Sequence, residues 1–95
     1  MRLTHKEIES IKQVFLEIFG SGKIYLFGSR LDDSKRGGDI DLFIKTECQD
    51  KILDKKIRFL SLLKQEIGDQ KIDVVISKDT TRTIEQEALH KGVKL

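Results

Sequence analysis

Three aspartates in this chain stand inside apolar runs, and their spacing suits metal-assisted phosphate chemistry. Asp39 and Asp41 open the run Asp39-Ile40-Asp41-Leu42-Phe43-Ile44. Aspartate is disfavoured in strands. If the run is a strand, the two side chains point to one face, with Cα atoms roughly 6.5–7 Å apart. Two carboxylates so placed can hold one or two divalent cations, as in two-metal phosphoryl-transfer sites, whose ions sit about 3.5–4 Å apart. The same Asp-x-Asp pair beside Gly37-Gly38 also suits a plain turn. Asp73 interrupts Ile72, Val74, Val75 and Ile76. A carboxylate in a central apolar strand is costly unless it is paired or binds metal. A strand edge with a lysine salt bridge is the alternative placement.

A second constellation precedes the aspartate pair. Gly28-Ser29 closes the run Ile24-Tyr25-Leu26-Phe27. Ser29 is a good helix N-cap, and backbone N–H groups exposed at such a turn attract anions. Glycine lets a phosphate approach the backbone with no Cβ in the way. The spacer from Arg30 to Gly38 carries Arg30, Lys35 and Arg36. These are either solvated loop charges or phosphate contacts, for which a guanidinium offers two donors at once. A phosphate cradle facing a carboxylate pair across one loop amounts to a nucleotide-polyphosphate site.

The elements that must position these residues follow from periodicity. Thr4 to Phe19 predicts a helix, with Thr4 and Glu7 spaced as a capping box and an apolar stripe of Ile8, Ile11, Val14, Phe15, Ile18 and Phe19. Gly20 and Gly22 stop it. Lys23 to Phe27 predicts a strand, the spacer a helical turn and loop, and Asp39 to Lys45 a second strand. Asp50 to Ile67 predicts a long helix with Leu53, Ile57, Leu60, Leu63 and Ile67 inward, ended by Gly68. Lys71 to Ser77 predicts a third strand. The strand–helix–strand unit implies a right-handed crossover with parallel strands, which sets Asp73 beside Asp39 and Asp41, about 4.8 Å across the sheet if the strands are neighbours. Thr80 to Lys91 predicts a last helix, and Val93-Lys94-Leu95 either packs back or extends. The expectation is a small α/β domain spanning 1–95, in the order α-β-α-β-α-β-α. Its sheet is three-stranded and mixed, with the first two strands antiparallel.

The motif resembles the nucleotidyltransferase superfamily of DNA polymerase β. Phe27-Gly28-Ser29, the spacer, Asp39-Ile40-Asp41-Leu42 and Ile72-Asp73-Val74 align with its pattern of apolar-Gly-Ser, Asp-apolar-Asp and a third, later carboxylate. The likeness is closest to the minimal nucleotidyltransferase (MNT) proteins. One departure is Asp32, where many MNT proteins carry a second basic residue; Lys35 and Arg36 lie further along. The resemblance implies transfer of AMP from ATP, or of another nucleoside monophosphate. Asp39, Asp41 and Asp73 would serve as catalytic metal ligands for two Mg²⁺ ions, and Gly28, Ser29, Arg30 and Arg36 would bind the nucleotide. It also implies a HEPN-like helical toxin as partner in a hetero-oligomer, a tyrosine hydroxyl of that toxin as acceptor, and an antitoxin role. A protein-binding antitoxin that neutralises its partner by occlusion, without catalysis, is the alternative.

Composition bounds the remaining possibilities. A net charge of +2, with basic and acidic residues interleaved, gives no case for nucleic-acid binding. Cys48, the one cysteine, has no internal partner for a disulfide and no metal-ligand spacing around it. His5 and His90 have no second ligand nearby and suit exposed or structural positions. No run of eighteen apolar residues and no signal-peptide pattern occurs, so the expected location is cytoplasmic, with no membrane contact.

Overall fold

A computed structural model describes residues 3–28, 39–47, 50–68, 70–77 and 92–95. Helix α1 (His5–Phe19) leads into strand β1 (Lys23–Phe27). Strand β2 (Ile40–Lys45), helix α2 (Ile52–Ile67), strand β3 (Ile72–Ile76) and strand β4 (Val93–Lys94) follow. The expected helix over 80–91 and the spacer turn lie outside the described residues.

The capping box at the start of α1 forms as its spacing predicts. The Glu7 N–H donates to Thr4 Oγ1 at 3.1 Å, and the Thr4 N–H donates to Glu7 Oε1 at 2.9 Å. Glu7 also reaches outside its helix, for Gln70 Nε2 donates to Glu7 Oε2 at 2.7 Å and to the Ile67 carbonyl at 3.1 Å. The start of α1 is thereby tied to the chain entering β3.

The sheet is mixed and runs β3-β2-β1-β4. β1 and β2 are antiparallel, and β2 and β3 are parallel across the α2 crossover, both as expected. Among the described residues the sheet has four strands, not the expected three. Val93 and Lys94 pair antiparallel with Leu26 and Tyr25, and the Leu95 N–H donates to the Ile24 carbonyl at 2.9 Å. Two residues are too few for any periodicity to announce a strand. Among the described residues β3 is an edge strand of this sheet, not the central one expected.

Alternation along the strands divides the sheet into two faces. Ile24, Leu26, Ile40, Leu42, Ile44, Ile72, Val74 and Ile76 face α1 and α2 and form one core with Ile11, Val14, Phe15, Phe19, Phe59 and Leu63. The Phe19 and Phe59 rings meet edge-on at 5.8 Å, joining the two helices. On α2 the inward face matches the expected one at Leu60, Leu63 and Ile67 and departs from it at Leu53 and Ile57. Leu53 and Ile57 are 68% and 62% exposed, while Phe59 and Leu63 are buried, flanked by the partly buried Ile52, Leu60, Leu62 and Ile67. The helix also begins two residues later than expected, because Lys51 takes a left-handed φ of 52°. Phe59 joins Leu63 in the core, and the first turns of the expected stripe, at Leu53 and Ile57, are left facing solvent.

Phe59→Ala should cost about 3–5 kcal/mol, the usual range for emptying a fully buried aromatic position. Urea denaturation reads this directly, and a loss below about 1 kcal/mol would contradict the packing described.

Candidate active site

The face of the sheet turned away from the helices carries Tyr25, Phe27, Asp41, Phe43, Asp73 and Val75. Cross-strand register arranges them in rows. Phe27, Asp41 and Asp73 form one, and Tyr25, Phe43 and Val75 form the next. Phe43 is buried on this face, with the Tyr25 ring 6.0 Å from its own. The carboxylate row therefore lies beside an aromatic row that fixes the centre of the strand.

Asp41 and Asp73 are direct partners in the parallel ladder. Their Cα atoms thus lie about 4.8 Å apart across the strands. Asp41 is half-buried on the inner strand β2, and Asp73 is exposed on the edge strand β3. Edge placement removes the desolvation cost that a central strand would impose on Asp73. Asp39 stands one residue before β2, and its Oδ2 lies 3.4 Å from Lys71 Nζ. The lysine salt bridge weighed for Asp73 thus forms at Asp39 instead.

Burial raises the proton affinity of Asp41 above that of an ordinary aspartate. Asp73 and Asp39 raise it further by like-charge repulsion, and Lys71 acts in the opposite direction. A cation between these carboxylates would relieve the repulsion. Oxygen-only donors of this kind suit a hard divalent ion such as Mg²⁺. Among the described residues, however, no three acidic side chains converge tightly enough to form a ready-made metal cage. The register brings the residues to one place, and Asp39 is turned to Lys71.

Gly28 follows β1 with φ of +81°, a conformation that favours glycine. A Cβ built there would strike Oδ2 of Asp41 and come within 3.1 Å of its Cγ. The glycine therefore does more than open a path for phosphate. Its missing side chain is the space the Asp41 carboxylate occupies. Ser29, Arg30 and Arg36, the other expected nucleotide contacts, lie outside the described residues, as does Lys35. Sequence reasoning did not assign Lys71 to the site. The only signal for it was its place two residues before Asp73, which alternation puts on the same face.

The site thus combines a mixed α/β sheet, paired aspartates on one strand–crossover–strand unit and a glycine turn against the first strand. The family model "Polymerase beta, Nucleotidyltransferase" matches residues 8–95, and the chain belongs to this family. No curated relative matches it significantly. Among the described residues, no helix is long and apolar enough to cross a membrane.

Two expectations follow from this geometry. Gly28→Ala should destabilise the protein by about 1–3 kcal/mol through backbone strain alone. Collision with Asp41 adds to that, so a double-mutant cycle should show a smaller cost in an Asp41→Ala background. Additivity of the two changes would remove the claim that the glycine makes room for the carboxylate. The second concerns pH. A folded-state proton affinity above the unfolded value means that ionised Asp41 opposes folding at neutral pH, and that this penalty fades as pH falls through its folded pKa. Asp41→Asn should therefore raise the melting temperature of the metal-free protein at pH 7, with the gain shrinking toward pH 4. An unchanged or lowered melting temperature at pH 7 would contradict the electrostatic account.

Proposed function

We propose that this protein is a metal-dependent nucleotidyltransferase that moves AMP from ATP to a hydroxyl group of a helical, HEPN-like partner, and that it acts in the cytoplasm as that partner's antitoxin. The observation that carries the catalytic part is the Asp41–Asp73 pair, with Asp39 beside it, on a face of the sheet bounded by the Gly28 turn. The partner, the tyrosine acceptor and the choice of ATP rest on the resemblance to MNT proteins.

In this reading Asp39, Asp41 and Asp73 hold Mg²⁺, two ions being the expectation for the family. Cations held there would supply positive charge against the triphosphate as the bond to pyrophosphate breaks. Gly28 and Ser29 seat the phosphates through backbone N–H groups, with Arg30 and Arg36 countering phosphate charge. The acceptor oxygen bonds to the α-phosphorus, the bond to the pyrophosphate oxygen breaks, and the hydroxyl proton passes to Asp73, the most exposed of the three aspartates by its edge-strand position. The competing reading is an antitoxin that works by occlusion alone. It draws on the absence of a ready-made cage among the described residues and on the engagement of Asp39 by Lys71.

The deciding experiment incubates the full chain with labelled ATP and Mg²⁺, with and without the product of the adjacent gene. Label should appear on the partner and fall at least about a hundredfold with Asp41→Asn. A tight complex with no transfer from any of the four nucleotides would replace the catalytic reading with occlusion.

A further inference from the structure

Lys71 stands directly before β3, and the pairing with β2 continues through it, since the Ile40 N–H donates to the Lys71 carbonyl at 3.0 Å. Carried one step beyond Ile40 and Ile72, the parallel register sets Lys71 beside Asp39 as it sets Asp73 beside Asp41. Alternation turns Lys71 and Asp73 to the same side. In register the four residues occupy the corners of one ladder step, three acidic and one basic, and Lys71 Nζ sits 3.4 Å from Asp39 Oδ2. The preceding residue is held from two sides, by the Gln70 bonds to Glu7 and to the Ile67 carbonyl. The backbone of Lys71 is thus held in place while its side chain is 74% exposed. An ion pair this open to water is weak and exchangeable.

We propose that Lys71 is a positioning residue that holds the Asp39 carboxylate while the site lacks a divalent cation, and that its ammonium exchanges Asp39 for the nucleotide's phosphates when cation and nucleotide bind together. This rests on the nucleotidyltransferase reading above. A cation arriving alone must displace an internal ammonium. A cation arriving with a triphosphate need not, because the phosphates offer that ammonium a new anion. The two ligands therefore bind with positive coupling, and Lys71 is one source of it. The ammonium also explains how three aspartates share one corner of a metal-free protein.

The test measures Mn²⁺ binding to the full chain by electron paramagnetic resonance at low salt, with and without a non-hydrolysable ATP analogue. Lys71→Gln should bind Mn²⁺ alone roughly threefold to tenfold more tightly than the native protein, because a like charge has left the site. It should also lose a similar factor of the coupling between Mn²⁺ and nucleotide. Lys71→Arg, which keeps the charge, should behave like the native chain. Mn²⁺ affinity that is unchanged or weaker in Lys71→Gln would overturn the inference while leaving the catalytic reading intact, provided Asp41→Asn abolishes binding. No Mn²⁺ binding by the native chain or by Lys71→Gln, with nucleotide present, would overturn both.

Discussion

The parallel pairing of β2 with β3 is the constraint on which the rest of the molecule depends. Parallel neighbours cannot be joined by a tight turn, so α2 must cross over the sheet, and Phe59 and Leu63 seat that crossover against the core. Three apolar residues on each strand point inward: Ile40, Leu42 and Ile44 on β2, and Ile72, Val74 and Ile76 on β3. A slip of one residue would turn Asp73 into the core and expose Ile72 and Val74. Hydrophobic packing on one face thus fixes the register, and the register sets Asp41 opposite Asp73 on the other. The Asp41 and Asp73 carboxylates contribute nothing favourable to their own placement.

They work against it. Asp41 is partly desolvated and faces two like charges, and its carboxylate fills the space left by the missing side chain of Gly28. Repulsion of this kind destabilises a metal-free fold and strengthens binding of a cation, so the electrostatic tension at the site is available to ligand binding. The fold tolerates it because the neighbouring features are firm. The aromatic row of Tyr25 and Phe43 braces β1 against β2, and the hydrogen bonds from Gln70 to Glu7 and Ile67 hold the entry to β3.

The sequence exposes much of this fold because its signals are local. The capping box of Thr4 and Glu7, the apolar strand ending at Gly28 and the helix ending at Gly68 each depend on a few adjacent residues. The crossover rule then extends local strands to a parallel pair, which is how Asp73 could be set beside Asp41. What stayed hidden depends on long-range competition. Leu53 and Ile57 share the helical period of Leu60, Leu63 and Ile67, but the packing of Phe59 against Phe19 turns α2 so that they stay exposed. Val93 and Lys94 become a strand only because β1 offers a free edge. Lys71 joins the site through register, which no motif spells out. The assignments of Ser29, Arg30 and Arg36 fall outside the described residues.

Strand position gives the three aspartates different characters. Asp41 sits on an inner strand, between β1 and β3, with Phe27 and Asp73 as its cross-strand neighbours. A side chain so enclosed has few places to go and suits a fixed ligand. Asp73 lies on the edge strand, where solvent reaches it, and Lys71 precedes the same strand on the same side. Groups on an edge can exchange partners at little cost, because water replaces whatever they release. A phosphoryl-transfer site needs both kinds of group: one that keeps its geometry through the reaction, and others that take up and release charge as substrate enters and product leaves. The mixed sheet supplies both within one ladder step. That arrangement places Lys71 and Asp73 on the sheet face turned away from α1 and α2, beside Asp41.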